Sequence, residues 1–246
     1  MKRLLHISLA AMMVLVACSK DPKPGKKFAA PKVVDLGIEV NGVNVKWGSF
    51  NVGATKESDY GLYFSWGELS DKDLYEWNSY QFGEKDSYNV TRYCPGDKSF
   101  RWAGGGSPDG LTILQTSNDV ARQRIGKKWR MPTFNEVLAL INTKTDPDYV
   151  WEWTEIDGHK GYKITSKKAG SEGNSIFLPA AGSISSGSEP SSVGQMCDFW
   201  SSSLDTSDPS RAYSFGFGYY GSDDQRVGTG AYSRSYGLVI RPVSAE

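Results

Sequence analysis

The chain has 246 residues, 39% of them hydrophobic and 13% aromatic, with 28 basic and 28 acidic side chains. That length suits one large domain or two small ones. The balanced charge excludes the broad basic footprint that nucleic-acid binding needs, so no nucleic-acid partner is expected.

Lys2 and Arg3 precede an apolar stretch, 4–17, interrupted only by His6 and Ser8. About 14 such residues are too few for a bilayer span, which takes about 20. The pattern is that of a secretory signal over residues 1–17. It ends in Leu15-Val16-Ala17-Cys18, which resembles the lipobox of bacterial lipoproteins. Cys18 is therefore expected to be lipidated after cleavage in front of it, and to hold the protein to a lipid bilayer. Several acyl chains, at about 0.8 kcal/mol per buried methylene, make that a firm anchor. The expected location is the cell envelope, at the outer membrane, with either face open.

Removing 17 residues from 246 leaves 229, with 26 basic and 28 acidic side chains and a net charge of −2. His159 is then the sole imidazole, which excludes multi-histidine metal centres. Residues 18–32, rich in Lys and Pro without periodicity, read as a flexible tether, and 33–246 as a single domain.

Within the domain, strands are expected over 33–36, 43–47 and 61–66. Val43, Val45 and Trp47 alternate as on a strand with one buried face. Residues 69–108 are aromatic but irregular, a long loop region pinned by Trp77, Tyr80, Tyr93 and Trp102. Ser117 or Asn118 is positioned to cap a short helix over 119–125, stopped by Gly126. Thr133 and Glu136 form a capping box, and Phe134, Val137, Leu138 and Ile141 then recur at helical spacing. Tyr149, Trp151 and Trp153 alternate up to an Asp157-Gly158 turn, and Tyr162 and Ile164 alternate after it. His159 is placed in that turn, solvated and without a catalytic partner. Short strands are expected over 175–178, 199–203, 212–219 and 237–243, the first of them a central strand ending at Pro179. Few helices among many short strands predict an α+β fold. Cys94 and Cys197 fit either a disulfide closing a loop of about 100 residues or two separate buried thiols.

Seven blocks stand in a recognisable order: VDLG (34–37), VKWGSFNVGA (45–54), YGLYFSWGE (60–68), KWRMPTFNE (128–136), GNSIFLPAAG (173–182), FWSSS (199–203) and GLVIRPV (237–243). This order resembles the Fibrobacter succinogenes major paralogous domain family, found in secreted and lipid-anchored proteins of Bacteroidetes-type bacteria. The resemblance implies a C-type lectin-like fold of short twisted antiparallel strands, two helices and long loops. It also implies a ligand surface in the loops between the late strands.

In that late region Tyr213, Phe215, Phe217 and Tyr219 alternate, giving an aromatic strand face of which Phe215 and Phe217 are expected in the core. Trp47, Trp66, Trp129 and Trp200 are read as core as well. The expected ligand-binding set is Tyr213, Tyr219, Tyr220, Asp223, Asp224, Arg226, Tyr232, Arg234 and Tyr236. These Tyr, Asp and Arg residues sit among Ser and Gly, a mixture typical of adaptable binding surfaces.

A calcium-dependent sugar site would need a Glu-Pro-Asn motif followed by Trp-Asn-Asp. The chain has Glu189-Pro190-Ser191 and Trp200-Ser201-Ser202, without those ligands. Asp205 and Asp208 are expected to be solvated, and no late cysteine pair occurs. No catalytic residue, metal or cofactor is expected. The function read from the sequence is that of a lipid-anchored envelope protein binding a glycan or protein ligand. A structural or accessory subunit of a surface assembly is the alternative, and a carboxylate-based glycoside hydrolase ranks third.

Overall fold

The computed structural model describes residues 25–85, 87–96, 99–219 and 225–244. In chain order its strands are β1 (Val33–Val40), β2 (Val43–Gly48), β3 (Trp129–Arg130), β4 (Tyr149–Ile156), β5 (His159–Ser166), β6 (Ser175–Pro179), β7 (Met196–Leu204), β8 (Arg211–Tyr219), β9 (Gln225–Ser233) and β10 (Val243–Ser244). The one α-helix among the described residues is α1 (Phe134–Asn142). The strands make three sheets, ordered β1-β2-β10-β3, β4-β5-β6 and β7-β8-β9, and every named pairing is antiparallel. The fold is α+β and dominated by sheet.

Local signals account for the clearest elements. Thr133 accepts from the Glu136 amide, while the Glu136 carboxylate accepts from the Thr133 amide at 2.7 Å, so the capping box starts α1 as expected. Arg130 closes on the same carboxylate through two N–H groups, at 2.7 and 2.5 Å. The inward face of α1 is Val137 and Leu140; Leu138 is 37% exposed. Asp157 and Gly158, both at positive φ, join β4 to β5 in a two-residue hairpin. His159 is thereby the first residue of β5, paired with Ile156, instead of a turn residue.

Two expected strands dissolve into single bridges. Over 61–66, Gly61 turns the backbone to φ +81°, and the amides of Leu62, Phe64 and Trp66 donate to three separated carbonyls, those of Val52, Leu238 and Arg234. Over 237–243, a ladder forms only from Val243. The rest bridges singly to Ile184, Phe64 and Phe199. β6 lies at the edge of its sheet, not its centre. The helix expected over 119–125 is one π-helical turn (Ala121–Ile125), and neither Ser117 nor Asn118 caps it. Asp119 does so instead, accepting from the amides of Arg122 and Met131, while Asn118 is buried and accepts from the Tyr93 hydroxyl.

Two apolar cores result. One gathers Leu36, Trp47, Leu140, Tyr162 and Phe215; the other gathers Phe64, Trp66, Tyr93, Trp129 and Trp200. The β7-β8-β9 sheet stands between them. Phe199, Phe215 and Phe217 face the first, and Trp200 and Ala212 face the second. All four tryptophans expected in the core are there. Cys94 and Cys197 are not joined in a disulfide and lie buried in opposite cores. Arg241 is fully buried, with its donors on Asn51 Oδ1 and the carbonyls of Gly48 and Phe177.

The signal and Cys18 lie outside the described residues, but the end of the expected tether does not. The Phe28 amide donates to the Arg124 carbonyl at 2.8 Å, and Arg124 Nε donates to the Lys26 carbonyl at 2.8 Å. The Phe28 ring sits 4.3 Å from the Arg124 guanidinium and packs on Phe64. The chain is thus fastened to the body from residue 26, not 33.

Candidate functional site

The register of β7-β8-β9 places glycines opposite one another. Asp198 faces Gly216 and Gly216 faces Gly228; Met196 faces Gly218 and Gly218 faces Arg226; Ser214 faces Gly230. Side chains alternate across a sheet, so these residues share the face opposite the phenylalanines. At one end of that face Trp200 and Ser214 are sealed in the second core. At the other end, Gly216, Gly218, Gly228 and Gly230 leave the backbone bare. The result is an open groove of about 300 Å³, walled by Met196, Asp198, Arg226 and Tyr232.

Gly216 is needed for packing, because a Cβ there would overlap the Asp198 carboxylate and the Cys197 carbonyl. Gly228 has open space where its Cβ would be, so its bareness shapes the groove and not the core. Asp198 is nearly buried and accepts from the Tyr232 hydroxyl. Burial pushes its carboxyl up to about 7, against the opposing pull of that hydrogen bond. Near neutrality it therefore presents both a protonated donor and an ionised acceptor. Arg226 at the rim is exposed.

A bare peptide floor, a tyrosine wall and a carboxyl able to donate or accept suit a flat, hydroxyl-bearing ligand. One carboxylate, that of Asp198, lines the groove among the described residues. No group of three or more His, Cys, Asp or Glu side chains that could hold a metal is present among the described residues.

Of the residues expected to bind ligand, the structure brings Arg226 and Tyr232 into the groove. Tyr236 stacks on Tyr232, ring centroids 6.1 Å apart at 28°, and lines a second cleft. Tyr213 is on the opposite sheet face, stacked on Phe134 of α1 at 4.3 Å, and so belongs to the helix packing. Arg234 is fully buried, not at the surface. It donates to the Tyr80 hydroxyl and to the carbonyls of Arg92, Tyr93 and Pro209, and its guanidinium lies over Trp66, Tyr80 and Tyr93. Tyr219 ends β8 opposite Gln225. Tyr220, Asp223 and Asp224 lie outside the described residues. Asp205 and Asp208 are engaged rather than solvated: Asp205 accepts from Ser207, and Asp208 pairs with Arg101 at 3.2 Å and accepts from Ser210.

Met196, Asp198 and the four glycines were not expected in the site. Their signal was present as Gly-x-Gly at 216–218 and again at 228–230, with a lone carboxylate inside the apolar run Cys197 to Trp200. The second Gly-x-Gly lies in β9, which composition alone reads as loop. The chain matches no known family model, no curated protein and no solved structure.

Proposed function

We propose that the chain is a lipid-anchored envelope protein that binds a glycan in the glycine-floored groove of β7-β8-β9. The reading takes the domain as C-type lectin-like, of the Fibrobacter succinogenes major paralogous type, anchored through acylated Cys18 at the outer membrane and acting by binding, not catalysis. The observation that carries it is the pairing of Asp198 with Tyr232 beside the bare backbone of Gly216 and Gly228. A sugar ring laid on that floor would meet an aromatic flank and a carboxyl suited to its hydroxyls. The antiparallel late strands and the seven ordered sequence blocks support the fold assignment.

The test is a glycan array probed with the full-length protein purified in detergent. The expected result is selective binding that falls at least tenfold in Gly228→Ala and in Asp198→Asn, both folded. Absence of glycan binding, together with an envelope protein that co-purifies stably, would replace the reading with that of an assembly subunit. Anchorage is tested separately: an alkyne-tagged palmitate should label the wild-type chain in cells of its source bacterium and leave Cys18→Ala unlabelled. Unlabelled wild type would remove the anchor from the proposal.

A further inference from the structure

The Tyr232–Tyr236 stack stands between two concavities. Tyr232 walls the groove, and Tyr236 lines a cleft of about 220 Å³ together with Tyr75, Trp77, Tyr88, Ser185 and Ser186. One feature of this cleft has no role in the core. Tyr88 is 59% exposed although its ring rests on Trp77, centroids 5.3 Å apart. Trp77 itself belongs to the second core, where its ring edge lies against Gly83. An aromatic ring kept this exposed on top of a core tryptophan, beside a cleft edged with serine hydroxyls, points to a ligand face.

Each concavity alone is at or below the size of an ordinary ligand site, which runs from about 300 Å³ upward. The exposed Tyr88 ring and the half-buried Tyr232 and Tyr236 rings, set beside serine hydroxyls, suit a chain of pyranose rings, each with an apolar face and a polar rim. We infer that the groove and the cleft are two subsites of one extended site, joined across the Tyr232–Tyr236 stack, and that the ligand is a linear oligosaccharide reaching from Asp198 to Trp77 and Tyr88. This rests on the glycan reading of the groove and adds to it a second anchoring point and a minimum ligand length.

The test is calorimetric titration of the full-length protein in detergent with cello-, chito- and manno-oligosaccharides of two to six units. In the series that binds, affinity should rise at least tenfold from the disaccharide to the hexasaccharide. Tyr88→Ala, at an exposed position, should return the hexasaccharide to the disaccharide level and leave the disaccharide unchanged. Length-independent affinity, or a hexasaccharide indifferent to Tyr88→Ala while Asp198→Asn weakens every ligand, would overturn the extension and leave the groove standing. No binding in any series would overturn the extension, and the array result would then decide whether the groove reading falls with it.

Discussion

Arg234 donates through Nε to the Tyr80 hydroxyl at 2.9 Å, in a core that seals both side chains from water. No carboxylate is among the partners found for this guanidinium; oxygens of Arg92, Tyr93 and Pro209 take its remaining N–H groups. It knits together the 80–93 loop, the start of β8 and the segment after β9.

Removing Arg234 would strand those oxygens and leave a cavity. Arg234→Ala is expected to destabilise by about 3 to 5 kcal/mol, measured by urea denaturation. Arg234→Lys should recover only part of this, because an ammonium cannot match a planar fork of five donors. Loss of ligand binding in either variant would therefore report unfolding, and neither is a test of the binding site.

The pH dependence of stability follows from buried carboxyls. Burial raises Asp198 to about 7 and Asp119 to about 6, both from an ordinary 3.8. The folded state then holds these protons more tightly than the unfolded one, so stability falls as pH rises from about 4 to about 7. Glu136 works oppositely: Arg130 and the Thr133 amide hold its carboxyl below the usual range despite burial, so its contribution is lost on acidification below about 4.5. Thermal melts should show a maximum at roughly pH 4 to 4.5. Asp198→Asn should raise the unfolding free energy at pH 8 by roughly 2 to 4 kcal/mol and change it little at pH 4. Equal shifts at both pH values would refute the assignment.

The groove glycines separate packing from binding. Gly216→Ala forces a methyl onto Asp198 and the Cys197 carbonyl and should cost about 1 to 3 kcal/mol. Gly228→Ala meets nothing within 4 Å and should melt within about 0.5 kcal/mol of wild type. Paired denaturation curves check both, and a strongly destabilised Gly228→Ala would contradict the groove geometry.

Phe28→Ala should free the entry segment. It removes the ring under Arg124 and the contact with Phe64, an effect of about 1 to 2 kcal/mol. Trypsin should then cut after Lys26 and Lys27 markedly faster than in the wild type, read by mass spectrometry of the fragments.

What the sequence disclosed divides by range. The capping box of Thr133 and Glu136 and the Asp157-Gly158 hairpin are settled within four residues, and both were legible. The 61–66 and 237–243 segments have strand-like composition, but their amides find acceptors on scattered parts of the chain, a matter of tertiary placement. Arg234 sits among Ser and Tyr and reads as surface; nothing near it in sequence announces oxygens supplied by residues 80, 92, 93 and 209. Phe215 and Phe217 of β8 were legible as core because the period is two, whereas Tyr213 on the same face was read as ligand-binding and packs on Phe134 instead. The groove on the reverse of β8 was not legible, because glycine leaves no side-chain pattern and Asp198 lies on a different strand.

The sheet that carries the groove is also a party wall. Phe199 and Trp200, adjacent in β7, are each fully buried on opposite sides of it. Neither half of the molecule can open without exposing a face of this wall, so denaturation should proceed as one transition. A ligand seated on the glycine floor would then hold both halves closed at once, and its binding free energy would appear as protection of the whole domain against unfolding.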